Sequence, residues 1–219
     1  MSAIARPASA SQEPSAGAGP QVLMQRPVQL QGSRLALWML QSAGWQLDFD
    51  GLPARQGVIA VYPHTSNWDF IVGIFAKWSM GLRVTIWGKD SLFRIPLFGP
   101  WLRWMGGVPV NRSAPGGIVA DMVRQMREAR ERDDFMWLVV APEGTRSLGP
   151  GWRSGFYRVA LEAGVPLALA YLDFGRRRVG VHSCLQLSGD VERDMAEIER
   201  RLGPARGCKP AQAAPIKLV

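Results

Sequence analysis

The chain contains 219 residues, enough for one α/β domain with a sizeable core and too few for two. Its 26 Lys and Arg residues outnumber its 18 Asp and Glu residues, which gives a formal net charge of +8. Such an excess favours an anionic partner: nucleic acid, an acidic membrane surface, a phosphorylated substrate or an acidic carrier protein. Nucleic acid is not an expected partner, because the sequence shows no zinc-finger spacing, RRM-type aromatic motif or basic recognition helix.

The cysteine content and the apolar runs indicate where the protein works. Cys184 and Cys208 do not make a disulfide scaffold and fit a reducing compartment. The first residues lack the apolar core of a secretory signal, and no apolar run reaches the ~18–20 residues that span a bilayer. We therefore expect a cytoplasmic protein that binds peripherally to the cytoplasmic face of the membrane. The nine Trp residues suit a lipid–water boundary, although Trp also fills cores well.

The chain divides into a leader, a domain and a tail. Residues 1–20 are rich in Ala, Ser, Pro and Gly and read as a disordered leader, 21–205 as the folded domain, and 206–219 as a polar C-terminal tail. In chain order, the hydrophobic periods predict a helix over 28–45, strands over 45–49 and 58–62, a helix over 68–78, strands over 83–87 and 108–110, a helix over 117–132, a strand over 135–140, a helix over 153–163, a hairpin of 167–173 and 179–187, and a helix over 191–202. This alternation predicts an α/β fold, a single domain with a mixed, mostly parallel sheet flanked by helices and a site at the strand carboxyl ends.

A histidine and an aspartate lie where the strand predicted over 58–62 passes into the next helix. His64 follows the strand, and Asp69 lies four residues further on. An imidazole with a carboxylate one helical turn away has the parts of a general base and its orienting partner. The carboxylate can accept from one ring nitrogen and so fix the tautomer, leaving the other nitrogen for a substrate hydroxyl.

A purely structural interpretation of the same window is also available. Ser66 is a good helix N-cap, and Asp69 then stands at the third helical position of a capping box. That interpretation explains Ser66 and Asp69 fully and leaves His64 as an incidental loop residue.

Two further predicted strands end in charged residues. Arg112 follows the strand over 108–110, and the run from Pro142 to Ser147, of sequence PEGTRS, follows the strand over 135–140. An arginine after a strand is commonly a solvated end, and Pro-Glu-Gly-Thr is good turn chemistry because Gly144 can take a positive φ. A fixed glutamate, a glycine that permits close approach and an arginine fork would together suit a phosphate-bearing hydroxyl substrate.

Together these windows resemble the four blocks of the glycerolipid acyltransferase family, whose members acylate lysophosphatidic acid and related acceptors. The resemblance covers roughly 58–171. The matching residues are, block by block, His64, Ser66 and Asp69; Gly106, Val108, Val110 and Arg112; Pro142 to Ser147; and Val165, Pro166 and Leu167. Pro63 stands where the family commonly has Asn, and Leu169 where it often has a second proline.

The resemblance implies transfer of a fatty acyl group from acyl carrier protein or coenzyme A to the free hydroxyl of a lysophospholipid such as lysophosphatidic acid. His64 would take the hydroxyl proton and Asp69 would hold its tautomer. The residues implied in acceptor binding are Arg112, Glu143, Gly144, Thr145 and Arg146. No covalent acyl-enzyme is needed, and no G-x-S-x-G elbow is present.

Neither a cofactor nor a metal is expected, since His182 is the only other histidine and the cysteines are not paired at ligand spacing. Two alternatives stay open. The acceptor could be a lyso-ornithine lipid or another lysophospholipid, or the chain could bind anionic membranes without catalysis. Trp38 and the 98–104 region are the candidate membrane contacts, with Arg176, Arg177 and Arg178 as an electrostatic anchor.

Overall fold

The computed structural model describes residues 19–110 and 117–219, so Arg112 and residues 1–18 of the predicted leader lie outside the described residues. The helices are α1 (Arg34–Ser42), α2 (Asn67–Met80), α3 (Asp90–Phe93), α4 (Phe98–Trp104), α5 (Gly117–Glu131), α6 (Gly155–Ala163) and α7 (Val191–Leu202), with a 3₁₀ turn at Pro210–Gln212. The strands are β1 (Gln21–Leu23), β2 (Gln46–Asp48), β3 (Gln56–Tyr62), β4 (Val84–Lys89), β5 (Gly107–Val110), β6 (Met136–Val140), β7 (Leu167–Asp173) and β8 (Arg178–Gln186).

The described strands form one sheet in the order β1-β8-β7-β3-β6-β4-β5, with β2 also paired to β8. The five strands from β7 to β5 are mutually parallel, so their carboxyl ends share one edge. β8 runs antiparallel to β7 and β1 and parallel to β2. The predicted α/β fold with a mixed, mostly parallel sheet is confirmed.

The central strands carry apolar side chains on both faces, as expected for parallel strands covered by helices. Val58 and Leu138 pack in one core with residues of α5, α6 and α7. Ile59 and Trp137 point to the other face and pack with residues of α1 and α2. The sheet is therefore the middle of three layers, and the loops at its carboxyl edge are free to hold a site.

The helix predicted from residue 28 begins later, at Arg34, because Ser33 is its N-cap and accepts a hydrogen bond from the Ala36 N–H at 3.2 Å. Val28 instead pairs with Leu52. β1 was not predicted, since three residues are too few to show a period. Among residues 19–110 and 117–219, no helix is both long and apolar enough to cross a membrane.

The segment predicted as a polar tail, 206–219, differs most from expectation. Ala214 is 0% exposed and Ile216 6% exposed, and both belong to the core shared with α5 to α7. The backbone of Trp152 bonds to that of Lys217 and Val219. The segment therefore packs onto the domain and does not form the separate tail that was predicted. Its composition is polar overall, so two buried apolar side chains were not enough to indicate packing.

Candidate active site

His64 lies in the loop that joins β3 to α2, at the carboxyl edge of the sheet. The backbone of this loop is fixed by the start of α2. The Ser66 Oγ accepts from the Trp68 N–H at 3.2 Å, and the Asp69 Oδ2 accepts from the backbone N–H groups of Thr65 at 2.5 Å and Ser66 at 2.7 Å. The capping box is therefore present.

The carboxylate of Asp69 also faces the imidazole. The distance from His64 Nδ1 to Asp69 Oδ2 is 3.5 Å, and the Asp69 side chain is only 1% exposed. This separation exceeds a normal N–H···O hydrogen bond, and it leaves Nε2 as the ring nitrogen that Asp69 does not face. Capping and orienting are thus compatible roles of a single carboxylate.

The environment keeps the imidazole uncharged. Burial, together with the positive charge of Arg146, lowers the pKa of His64 to about 4. Burial raises the pKa of Asp69, whereas the backbone N–H groups of Ser66 and Thr65 and the charge of Arg146 act in the opposite direction. At pH 7 His64 is therefore neutral, as a proton acceptor has to be.

Glu143 ties the two motif-bearing loops together. It follows β6, is 3% exposed, and accepts from the backbone N–H of His64 through Oε1 and from that of Ala214 at 2.9 Å through Oε2. Burial, with a smaller contribution from the charge of Asp69, raises its pKa. Both carboxylate oxygens therefore accept backbone hydrogen bonds, and Glu143 fixes the backbone of His64 relative to that of Ala214.

The loop after Glu143 carries Arg146, whose charge acts on the imidazole, and Gly144, which packs against Arg153. Gly144 has a φ of 68°, and a Cβ built on it would lie 2.8 Å from the Nε of Arg153. Glycine is thus required for its backbone conformation and for the close approach of Arg153. The Arg146 side chain lies near enough to His64 to lower its pKa. Thr145 is exposed, and its Oγ1 accepts from the Ser147 N–H at 3.3 Å.

The structure brings together His64, Asp69, Glu143 and Arg146 of the residues that the sequence singled out. Arg112 lies outside the described residues. Sequence reasoning missed Arg153, since a basic residue ahead of a helix carries no local signal. Among residues 19–110 and 117–219, no group of three or more His, Cys, Asp or Glu side chains is arranged to hold a metal ion. The site combines an uncharged imidazole, two buried carboxylates and the nearby guanidinium of Arg146, an arrangement that suits proton removal from an anionic substrate.

Two named relatives match about half of the chain. A chloroplastic 1-acyl-sn-glycerol-3-phosphate acyltransferase BAT2 of Brassica napus is 28% identical over 127 residues, covering 56% of this chain and 36% of the relative. A 1-acyl-sn-glycerol-3-phosphate acyltransferase of Streptococcus pneumoniae is 26% identical over 113 residues, covering 51% of this chain and 40% of the relative. The match thus spans well under half of each relative's length.

A solved structure shares the fold. The crystal structure of the 1-acyl-sn-glycerophosphate (LPA) acyltransferase PlsC from Thermotoga maritima superposes with a TM-score of 0.51 at 18% identity, covering 75% of this chain and 72% of that one. The model of the family described as Acyltransferase matches residues 48–170, more than half of the chain and the part that carries His64, Asp69 and Glu143 to Arg146. The chain belongs to the Acyltransferase family.

Proposed function

We propose that this chain transfers a fatty acyl group from a thioester of acyl carrier protein or coenzyme A to the free hydroxyl of a lysophospholipid such as lysophosphatidic acid. The observation that carries the proposal is the uncharged His64 imidazole beside the buried Asp69, with the guanidinium of Arg146 close enough to lower the pKa of His64. Family membership and the two relatives named as 1-acyl-sn-glycerol-3-phosphate acyltransferases support it.

The proposed reaction is a direct transfer. Nε2 of His64 takes the proton of the acceptor hydroxyl as its oxygen attacks the thioester carbonyl. Asp69 stabilises the imidazolium that forms, as the carboxylate of a catalytic triad does. When the tetrahedral intermediate collapses, the C–S bond breaks and the thiolate takes the proton from Nε2, so one ester and one thiol are produced.

Arg146 and Arg153 are the side chains of the described site that suit the acceptor's phosphate. Both belong to the region around Gly144, and a guanidinium can bind two phosphate oxygens at once. Glu143 would then act by holding the backbone of His64 in place. This differs from the implied role of Glu143 in shaping the acceptor pocket, because both of its oxygens already accept backbone hydrogen bonds.

An acceptor panel tests the proposal. Purified chain, supplied with a labelled acyl group on coenzyme A or on acyl carrier protein, is expected to acylate lysophosphatidic acid faster than lysophosphatidylcholine or monoacylglycerol. The reason is that only the phosphate monoester offers two free negative oxygens to Arg146. Fastest product formation on a lyso-ornithine lipid would instead favour the alternative acceptor. Absence of product with every donor and acceptor would leave non-catalytic membrane binding as the better account.

We further propose that the protein binds the cytoplasmic face of an anionic membrane through apolar side chains of α4 and its entry. Leu97 is 88% exposed and has a φ of 64° and a ψ of −44°, a strained γ-turn conformation that costs a non-glycine residue on the order of 1–3 kcal/mol. Trp104 is 74% exposed. α4 lies beside α2, since the Lys77 Nζ donates to the Met105 carbonyl at 2.8 Å, so this surface adjoins the helix that starts at the site.

Vesicle binding tests this surface. Leu97→Ser and Trp104→Ser should each weaken partitioning to phosphatidylglycerol vesicles by about tenfold or more, because burying such a side chain contributes roughly 1.5–3 kcal/mol. Met24→Ser is the matched control, since Met24 is 81% exposed next to β1, at the opposite edge of the sheet. Equal losses in all three variants would contradict the assignment of this surface.

We expect the basic run formed by Arg176, Arg177 and Arg178 to contribute less to membrane anchoring than the apolar side chains around α4. Arg178 is paired with Asp48 at 2.7 Å, and Arg176 lies 3.9 Å from Asp173. Arg177 donates to the Ala43 carbonyl at 3.3 Å. Partial compensation of these charges reduces their attraction for an anionic surface.

A further inference from the structure

The C-terminal segment, residues 207–219, reaches both loops that carry the site. On the first loop it contacts Thr65, the neighbour of His64. The Lys209 N–H donates to the Thr65 Oγ1 at 3.1 Å, and Thr65 is 1% exposed. Gly207 packs so closely that a Cβ there would lie 2.7 Å from the same oxygen. The segment thus covers the backbone next to the imidazole.

Gln212 joins the two loops directly. Its amide orientation is assigned from its surroundings: the nitrogen, turned towards two backbone carbonyls, donates to that of Arg146 at 2.8 Å and to that of Thr65 at 3.1 Å, whereas the reverse orientation would set its oxygen against both carbonyls. The Ala214 N–H adds a third connection through the carboxylate of Glu143, whose other oxygen accepts from His64. With the bond from Lys209 to Thr65, four hydrogen bonds among the described residues therefore link this segment to the two loops.

The segment is itself firmly held. Ala214 and Ile216 lie in the core, and the Trp152 backbone bonds to Lys217 and Val219 on either side. A segment held in this way can fix the positions of the loops that it contacts. Residues behind a catalytic site commonly orient the catalytic side chains in the same manner.

We propose that the C-terminal segment is a positioning element of the active site, in which Gln212 sets the distance between the loop of His64 and the loop of Arg146. Gln212 is a positioning residue, since its amide bonds to the carbonyls of Thr65 and Arg146 and acts on the reaction through the loops that carry His64 and Arg146. The expected change in kcat rests on the proposed acyl transfer. The expected position of the two loops rests on the hydrogen bonds alone. A misplacement of about 1 Å can cost on the order of 100-fold in rate.

The test compares Gln212→Glu with Ala211→Glu. Glutamate at position 212 cannot donate to the two carbonyls, whereas glutamate at the exposed position 211 adds the same charge and breaks no such bond. Gln212→Glu is expected to lower kcat by about 10- to 100-fold relative to Ala211→Glu, with a smaller change in KM. Thr65→Val should lower kcat too, and Thr65→Ser, which keeps the acceptor oxygen, should recover most of it.

The pKa of His64 gives a second measurement, which does not depend on acyl transfer. NMR titration of the two imidazoles, assigned with the His64→Ala protein, should show that the pKa of His64 rises above about 4 in Gln212→Met, because the loops that bury it and bring Arg146 near are released. Gln212→Met adds no charge, and Asp69, Glu143 and Arg146, the charged groups beside His64, are the same as in the wild type.

The outcomes are distinct. Matching kcat in Gln212→Glu and Ala211→Glu, with a His64 titration in Gln212→Met that equals that of the wild type, would overturn the inference. So would a lower melting temperature in Gln212→Glu with unchanged kcat per folded protein, since that marks a purely structural role. If the wild type transfers no acyl group at all, the proposed function fails, while the titration still decides whether the segment positions the loops.

Discussion

Replacing His64 by alanine is expected to lower kcat by at least about 10²-fold and to leave the melting temperature close to that of the wild type. A positioned general base contributes typically 10²–10⁴-fold to the rate. The side chain makes its one close polar contact among the described residues with Asp69, at a distance longer than a hydrogen bond, so the fold loses little when it is removed.

Asp69 should behave differently from His64. Asp69→Asn is expected to lose less activity than His64→Ala if the carboxylate orients the ring. It should also lose stability, because the Asp69 Oδ2 accepts charge-assisted bonds from the Thr65 and Ser66 N–H groups. Weakening these bonds costs on the order of 1–3 kcal/mol. Thermal unfolding and acyl transfer are to be measured on the same preparations.

The opposite ordering would contradict the general-base assignment. If His64→Ala kept the wild-type kcat while Asp69→Asn lost stability alone, the capping box would account for the window without catalysis. Ser66→Ala is a useful control, since loss of a cap costs about 0.5–2 kcal/mol and should affect stability more than turnover.

Replacing Arg146 by alanine should raise the acceptor's KM far more than the donor's, because the phosphate loses a charge-assisted partner. The substitution should also shift the acid limb of the pH–rate profile to higher pH. Burial is the larger cause of the low pKa of His64 and persists in this variant, but the cation beside the ring also disfavours protonation, so its removal lets the pKa rise above about 4. As the pH is lowered, activity should therefore begin to decline at a higher pH than in the wild type.

Two further variants separate charge from geometry. Arg146→Lys keeps the positive charge, so its acid limb should stay near that of the wild type, while KM recovers only in part because an ammonium cannot replace a bidentate fork. Arg83→Ala removes one charge at the amino end of β4 and should change neither quantity. Equal rises in donor and acceptor KM for Arg146→Ala would argue against acceptor binding.

The parallel sheet and the position of the site could be predicted because both depend on local patterns. A buried run such as Val58–Tyr62, followed by a charged loop and an amphipathic helix, is a strand–helix unit whatever its neighbours are. Parallel pairing then brings the ends of β3 and β6 together, which is why His64 and Glu143 meet although they are far apart in the chain.

The contacts of Glu143 and of the C-terminal segment could not be predicted, because they join residues that are distant in the sequence. A hydrogen bond from the His64 backbone to a carboxylate 79 positions away leaves no periodic trace. Ala214 and Ile216 are two buried apolar residues in a polar segment, too few to show a period, so composition indicated a free tail. The contacts of Gln212 depend on tertiary packing alone.

Direct transfer to the acceptor hydroxyl leaves no acyl group on the protein. We would test this by mass spectrometry of product and protein together, after the chain is incubated with a labelled acyl thioester and lysophosphatidic acid. Labelled phosphatidic acid and free thiol are expected in equal amounts, with the mass of the protein unchanged throughout. A protein that gains the mass of the acyl group during turnover, or that forms no product, would contradict direct transfer.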